Sequence, residues 1–238
     1  MQALLAAVAT LASGAFAVSV LAQYRRRRRP YQLAWGVSLL MFAAASLALT
    51  VGVAGHWTPV VFESYYLFGG ILTAPWLALG TLFLLARRPV ALGYLAVLAV
   101  FTAAAAVLLF AAHVTSADVA HEVPEGREFL PIVVRVMAVV GNIAGTVIVV
   151  GGALVSGLAL RHNRRLRARF QGNLLIAAGV LLAASGGAFA FLGRSGGLAA
   201  ALALGAAVMY AGFRRASAPI AAAPAPAGGV PPAAEATG

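Results

Sequence analysis

The segment YRRRRRPY, Tyr24–Tyr31, places five consecutive arginines between two of the most apolar stretches of the chain. The preceding stretch, Ala3–Ala22, and the following one, Leu33–Ala54, contain no charged residue. A helix of about 20 apolar residues is long enough to cross the hydrocarbon core of a bilayer. The two stretches therefore predict a pair of membrane-spanning helices joined by a short, strongly basic turn.

The composition of the whole chain indicates the same class of protein. Of its 238 residues, 62% are hydrophobic and only 10% are charged, whereas soluble domains carry about 25% charged residues. The net charge of +11 would suggest nucleic-acid binding in a soluble protein. Because the arginines lie in short clusters between apolar stretches, we instead expect an integral membrane protein with no nucleic-acid partner. The absence of cysteine excludes disulfides and thiolate metal sites.

The predicted fold class is all-α, a polytopic membrane bundle of seven transmembrane helices within residues 1–215. Barrel strands alternate polar and apolar residues, and these stretches do not. The Ala- and Pro-rich segment 216–238 predicts a disordered cytoplasmic tail, because proline removes backbone donors and the segment has little apolar surface to bury. The seven predicted spans are Ala3–Ala22, Leu33–Ala54, Tyr66–Ala86, Val90–Ala112, Ile132–Leu160, Leu174–Leu192 and Leu198–Phe213.

The arginines are divided unevenly between the two sets of loops that alternate along the seven spans. Short arginine-rich loops stay in the cytoplasm because they are hard to translocate. We therefore expect the N-terminus outside and the C-terminus in the cytoplasm, with the arginine loops touching anionic lipid head groups. Fourteen of the 17 arginines belong to the predicted cytoplasmic set, namely Arg25, Arg26, Arg27, Arg28, Arg29, Arg87, Arg88, Arg161, Arg164, Arg165, Arg167, Arg169, Arg214 and Arg215. The other three are Arg127, Arg135 and Arg194.

The basic residues are all arginine, and none is lysine. Together with the high alanine content, this bias is typical of high-GC bacterial genomes, so the predicted location is a bacterial plasma (inner) membrane that the chain crosses several times. Seven helices with an outside N-terminus also form the topology of the rhodopsins, but covalent retinal needs a Schiff-base lysine. Covalent retinal is therefore excluded, and no cofactor is predicted.

Side chains that can bind metals or transfer protons are concentrated on the predicted outer side of the bundle. Histidine and carboxylate groups perform this chemistry, whereas arginine stays charged. We expect any polar functional site at this outer boundary, with His113 as its first candidate because it lies nearest the apolar core. The predicted outer cluster consists of His113, Glu63, Arg135, His56 and His121.

The segment HVTSADVAHE contributes several members to that outer side. In a helix, Asp118 and His121 would lie three residues apart on one face, and Asp118 and Glu122 four apart. Imidazole and carboxylate groups at such spacing can bind zinc or copper. Solvated loops are also rich in these residues, so no metal is predicted, and His113, Asp118, His121 and Glu122 are only candidate ligands.

The third span lies within HWTPVVFESYYLFGGILTAPWLALGTLFLL, His56–Leu85, and contains an internal proline. Pro75 cannot donate a backbone hydrogen bond, so it predicts a kink that opens a pocket near Thr73 and Trp76. Three aromatic residues fit an outer belt at the level of the lipid head groups: Trp57, Tyr65 and Tyr66.

The same segment resembles one in a family of uncharacterised seven-helix integral membrane proteins of actinobacteria and related bacteria. The resemblance covers about the first half of the chain. It implies a seven-helix membrane fold, but it brings no activity with it and assigns a role to no residue.

Small residues recur along the fifth span at spacings of one or two helical turns. Gly141 and Gly145 are four residues apart, and Asn142 lies beside them. Small residues let helices approach closely in a membrane, and an asparagine can hydrogen-bond across the contact. This pattern predicts close packing within the bundle, with a ligand pocket as the alternative. Glycine-rich helices also make an oligomer possible.

Three classes of function remain open on this sequence. The preferred one is a non-enzymatic bundle that binds or passes a small apolar or neutral molecule or a lipid. The first alternative is a metal- or haem-dependent membrane redox protein or enzyme that uses the outer cluster of histidines and carboxylates. The second is a sensor or partner subunit that acts through its arginine-rich cytoplasmic face.

Overall fold

The computed structural model describes residues 1–112, 124, 126–160, 167–191 and 195–217. Within these ranges the chain is helical apart from short connections, and no strand occurs. The prediction of an all-α fold is confirmed. Of the predicted tail, residues 218–238 lie outside the described residues.

Seven helices in the described part of the chain are long and apolar enough to cross a membrane, as predicted. Some begin or end beyond the predicted apolar stretches, because polar end residues continue the helical hydrogen bonding. A short helical turn, Gly126–Phe129, precedes the fifth. The seven are α1 (Gln2–Arg27), α2 (Pro30–Ala54), α3 (Pro59–Leu85), α4 (Arg88–Ala111), α5 (Ile132–Leu160), α6 (Arg167–Phe191) and α7 (Ser195–Ala216).

The turn between α1 and α2 reverses the chain within the arginine block. Arg28 adopts the left-handed conformation with φ 51° and ψ 35°, and its amide donates to the Tyr24 carbonyl at 2.8 Å. Arg29 is extended, and Pro30 occupies the first turn of α2, where its missing amide costs nothing. We call the end of the bundle that contains this turn the arginine-rich end.

Six helices form a closed ring, and α4 lies outside it. Along this ring each helix contacts the next in the order α1, α2, α3, α5, α6, α7, and α7 returns to α1. Helix α4 contacts α3 and α5. Its outward side chains Val97, Val100 and Val107 are 66–71% exposed, which fits a surface that faces lipid acyl chains.

Helices α6 and α7 approach each other most closely through glycines. A Cβ on Gly179 of α6 would lie 2.7–2.8 Å from the backbone of Met209 and Gly205. A Cβ on Gly212 of α7 would lie 2.7–2.8 Å from the backbone of Gly172 and Ile176. Since backbone atoms cannot yield as a flexible side chain can, any larger residue would push the helices apart.

The half of the bundle opposite the arginine-rich end is filled by apolar side chains. Phe62, Ile71, Leu109 and Val134 are all fully buried there. Trp57, predicted to lie in an outer aromatic belt, is instead 1% exposed, because its ring packs against Gly52 of α2 and edge-on to Phe62 with ring centroids 6.5 Å apart. The belt prediction is wrong for this residue.

Candidate functional site

The third helix changes its hydrogen-bonding pattern near its middle. The segment Tyr66–Leu72 is π-helical and separates two α-helical parts, Pro59–Tyr65 and Thr73–Leu85. The Thr73 amide donates to the Phe68 carbonyl, five residues earlier, and the Thr73 hydroxyl donates to the same carbonyl at 2.7 Å. Such widened turns in α-helices are frequent at functional sites.

Neighbouring helices supply hydrogen-bond donors to this irregular part of α3. Backbone of this kind is tolerated at membrane depth where protein groups satisfy it. The irregular part of α3 is thus a π-helical segment that begins before Pro75, and donors from three helices bond to it and to the residues that follow it. The kink predicted at Pro75 stays a prediction. The donors are Ser38 of α2 to the Thr73 carbonyl (2.7 Å), Tyr94 of α4 to the Pro75 carbonyl (3.2 Å) and Asn142 of α5 to the Gly70 carbonyl.

The structure brings the predicted packing residues of α3 and α5 together. A Cβ on Gly145 would lie 2.5–2.8 Å from the Ala74–Pro75 peptide, and one on Gly141 would lie 3.2 Å from the Pro75 ring. The indole of Trp76 donates to the Thr102 hydroxyl of α4 at 3.3 Å. The two glycines thus form a contact within the chain. An oligomer built on glycine-rich helices stays a prediction.

A cavity of about 60 Å³ lies inside the ring, between the π-helical segment and the arginine-rich end. All six ring helices line it, and α4 does not. Its walls are mostly aromatic and aliphatic. The lining residues are Phe16 of α1; Trp35 and Leu39 of α2; Leu77, Thr81, Leu84 and Leu85 of α3; Val149, Gly152, Ala153 and Ser156 of α5; Asn173 and Ile176 of α6; and Met209 and Phe213 of α7.

Three polar side chains in the cavity wall are hydrogen-bonded to one another or to backbone. The Asn173 amide donates to the Ser156 hydroxyl at 2.9 Å, which joins α6 to α5. The Thr81 hydroxyl donates to the Leu77 carbonyl of its own helix at 3.3 Å. The cavity therefore offers an occupant mainly apolar contact, which is suited to binding an apolar group.

A surface groove lies next to this cavity at the arginine-rich end. It has a volume of about 720 Å³ and is lined by residues of the α1–α2 turn and of the last part of α3. Leu84 lines both the groove and the cavity. The groove residues are Arg27, Arg29, Pro30, Tyr31, Phe83 and Leu84.

The described members of the predicted outer cluster lie at the opposite end of the bundle. Glu63 is nearly buried near the start of α3, and His56 lies in the α2–α3 connection. Arg135 lies near the start of α5. His113 and His121 lie outside the described residues, so the cluster as a whole stays a prediction.

Within the described ranges, no group of three or more histidine, cysteine or carboxylate side chains could hold a metal ion. This finding does not test the four candidate ligands predicted from the sequence. They are His113, Asp118, His121 and Glu122, and all four lie outside the described residues.

The cavity was not predicted from the sequence, which predicted a pocket near Thr73 and Trp76 and a polar site at the opposite end. Neither Thr73 nor Trp76 lines the cavity. Most of its lining is apolar, and such residues have no distinguishing pattern in a chain that is 62% hydrophobic. One signal was present: Asn173 is an uncharged polar residue immediately before the sixth predicted apolar stretch, which begins at Leu174. The groove arginines were predicted to set the topology and to touch anionic lipid head groups, but not to line a groove beside a cavity.

Comparisons of the chain with protein-family models, with curated proteins and with solved structures found no match. The family resemblance described above therefore stays a prediction, and function has to be argued from the site itself.

Proposed function

We propose that this chain is a multi-pass protein of a bacterial plasma membrane that binds the acyl chain of a lipid without catalysing a reaction. The observation that carries the proposal is the cavity at the centre of the helix ring, which six helices line with mainly apolar groups. In a membrane, the molecules that present apolar groups at the highest concentration are the lipids around the protein.

The size of the cavity supports an acyl chain over a compact ligand. Its volume of about 60 Å³ is well below the ~300–1,000 Å³ of pockets for drug-sized molecules. It is also less than half of the ~150 Å³ cavity that admits benzene. The end of a slender alkyl chain fits a space of this size, whereas a ring system does not.

An opening toward lipid is supported at the arginine-rich end. The cavity-lining side chains of Leu84 and Leu85 are 45% and 46% exposed. Toward the other end, Ile71, Val134 and Ala6 are fully buried in one apolar cluster that fills the bundle. This arrangement favours binding of a chain from one side over passage of a molecule across the membrane.

The orientation proposed for the bundle follows from the positive-inside rule. Fourteen of 17 arginines belong to the sequence segments that are predicted to be cytoplasmic, because short arginine-rich segments resist translocation. The N-terminus is then outside, the C-terminus is cytoplasmic, and the cavity opens toward the cytoplasmic leaflet. Anionic head groups of that leaflet are attracted to the arginines.

A photoactivatable lipid tests the proposal. The protein is placed in nanodiscs of phosphatidylcholine that contain a phosphatidylcholine probe with a diazirine at the end of one acyl chain. After irradiation, we expect peptides from cavity-lining parts of α3, α5 and α7 to carry the probe. In Ala153→Leu, three added carbons fill the cavity, so crosslinking of these peptides should fall about tenfold, equivalent to about 1.4 kcal/mol of binding.

The matched control is Ala144→Leu, which makes the same change on an exposed position of the same helix that does not line the cavity. Its crosslinking should equal that of the unmodified protein. If Ala153→Leu and Ala144→Leu crosslink equally, or if the probe reacts only with outward positions such as Val97 and Val100, the cavity does not hold an acyl chain.

A further inference from the structure

The groove and the cavity adjoin each other at the arginine-rich end. Leu84 of α3 lines both of them. On α2, Tyr31 lines the groove and Trp35 lines the cavity, and their rings meet edge-on with centroids 5.3 Å apart. The aromatic pair and Leu84 thus belong to the boundary between a basic surface and an apolar interior.

The groove is positively charged and lacks an internal counter-ion. Arg27 and Arg29 line it, and Arg87 and Arg88 follow Leu84 by three and four residues at the same end of the bundle. The connecting sequences at this end contain no aspartate or glutamate, and Glu235 in the tail lies outside the described residues. A charge of this kind attracts an anion from outside the chain.

Arginine is particularly suited to a phosphate at this position. Its planar guanidinium can donate two parallel hydrogen bonds to phosphate oxygens. Arg27 ends α1 and Arg29 immediately precedes α2, so the two side chains lie on either side of the tight turn at Arg28. Tyr31 adds a phenol to the same groove.

We propose that the groove and the cavity are two parts of one site for a single anionic phospholipid. The lipid phosphate is held by Arg27 and Arg29 in the groove, and one acyl chain passes Leu84 into the cavity. This inference rests on the proposed function, because the same cavity receives the chain. Beyond the proposed function, the inference names the head group as anionic and assigns its recognition to Arg27 and Arg29.

The proposed pose agrees with how a lipid lies in a bilayer. Its phosphate remains at the surface, where the helix ends and their arginines are, and its acyl chain points toward the bilayer centre, as the cavity does relative to the groove. A phospholipid of the surrounding leaflet can therefore occupy the site without inverting and without leaving its layer.

The test uses two double variants with the same loss of charge. Arg27→Gln/Arg29→Gln removes the groove arginines, whereas Arg25→Gln/Arg26→Gln removes two arginines of the same block that do not line the groove. Both variants lose two positive charges from one cytoplasmic turn, so diffuse attraction and topology are affected equally. Binding of phosphatidylglycerol and of phosphatidylcholine to the purified full chain is measured by native mass spectrometry.

We expect the groove variant to lose phosphatidylglycerol affinity at least about tenfold and to lose less phosphatidylcholine affinity, because the choline ammonium of phosphatidylcholine already offsets the charge of its phosphate. The matched variant should change phosphatidylglycerol affinity less than about twofold. An equal loss in both variants would show diffuse electrostatic attraction and would overturn the proposal.

Two further measurements separate the parts of the site. Glycerol phosphate has the head-group chemistry without the acyl chains, and it should fail to displace phosphatidylglycerol at equal concentration. If it displaces the lipid completely, the groove is a site for free phosphates, and the proposal of a single lipid site is overturned.

Ala153→Leu distinguishes failure of this inference from failure of the proposed function. It should weaken binding of both lipids, because both use the cavity. If it does so while the groove variant binds phosphatidylglycerol normally, the acyl-chain site stands and the head-group assignment is wrong. If Ala153→Leu has no effect while the groove variant loses phosphatidylglycerol, the cavity is not part of the site, and both the proposed function and the single-site inference fail.

Discussion

At the scale of single residues, Arg28 is the clearest case of a backbone conformation that conflicts with residue type. In the described part of the chain it is the only residue other than glycine with a positive φ. The left-handed region costs a side chain of this kind about 1–2 kcal/mol. The conformation lets the Arg28 amide donate to Tyr24 and lets α2 begin two residues later.

Arg28→Gly should therefore stabilise the bundle. Glycine adopts this φ without steric cost, although it loses more backbone entropy on folding, so we expect a gain of up to about 1 kcal/mol. The measurement is the thermal unfolding midpoint in detergent. Arg26→Gly is the matched control, since Arg26 lies in the last turn of α1 with helical backbone, and glycine there should cost up to about 1 kcal/mol. An equal loss of stability in both variants would contradict the role given to φ at Arg28.

Trp57 illustrates what sequence position does and does not reveal about a residue. An aromatic residue between two apolar helices can lie in a head-group belt or in a buried contact, and its sequence position fits both locations. The deciding partner is Gly52, five residues earlier, because a side chain at Gly52 would occupy the volume of the indole ring. The sequence contains both residues, but whether Trp57 packs on Gly52 depends on how the α2–α3 connection folds back.

At the scale of helices, the glycines of α5 differ in what they face. A Cβ on Gly145 would lie 2.5–2.8 Å from the Ala74–Pro75 peptide of α3, whereas a Cβ on Gly151 would meet nothing within 4 Å. Only the first glycine is required for close approach of two helices. Replacing these two glycines of α5 by alanine is therefore expected to have opposite effects on stability.

Gly145→Ala should destabilise the protein, because the added methyl group must separate α5 from α3 backbone. Overpacking of a well-packed contact costs about 1–3 kcal/mol. Gly151→Ala should be neutral or stabilising by up to about 1 kcal/mol, since alanine is the better helix former. Thermal unfolding of both variants in detergent checks the difference. If Gly145→Ala is as stable as Gly151→Ala, the close α3–α5 contact is absent.

The helices themselves were predictable, whereas the irregularity within α3 was only partly so. Each span is a local property, since about 20 apolar residues suffice to cross a bilayer. Pro75 predicted a kink, but the π-helical segment Tyr66–Leu72 is also held by distant residues. Asn142 donates to the Gly70 carbonyl within it, from 72 residues away, and Ser38 donates to the Thr73 carbonyl directly after it, from 35 residues away. No local pattern encodes such partners. The cavity was unpredictable for the same reason, because six helices have to meet before it exists.

At the scale of the whole molecule, the ring of six helices accounts for the position of the site. Helix α7 returns to α1, so the chain closes on itself and leaves an interior that each ring helix can line. That interior is filled by apolar side chains at one end and contains the cavity toward the other. In the described part of the chain, Arg25 through Arg29, Arg87, Arg88, Arg214 and Arg215 lie at the end that holds the cavity, which places a basic surface next to an apolar interior.

The orientation of this bundle decides which leaflet the site meets, and it is tested by reporters. We expect a fluorescent protein fused after Arg215 to be fluorescent in the cytoplasm, and alkaline phosphatase inserted near Glu125 to be active outside. The reason is that 14 of 17 arginines belong to the sequence segments predicted to be cytoplasmic, and these resist translocation. Replacing Arg25 through Arg29 with glutamine should weaken the orientation of α1 and α2 most, because the later arginine loops still hold the remaining helices. The opposite reporter result at both sites would invert the bundle and turn the cavity toward the outer leaflet.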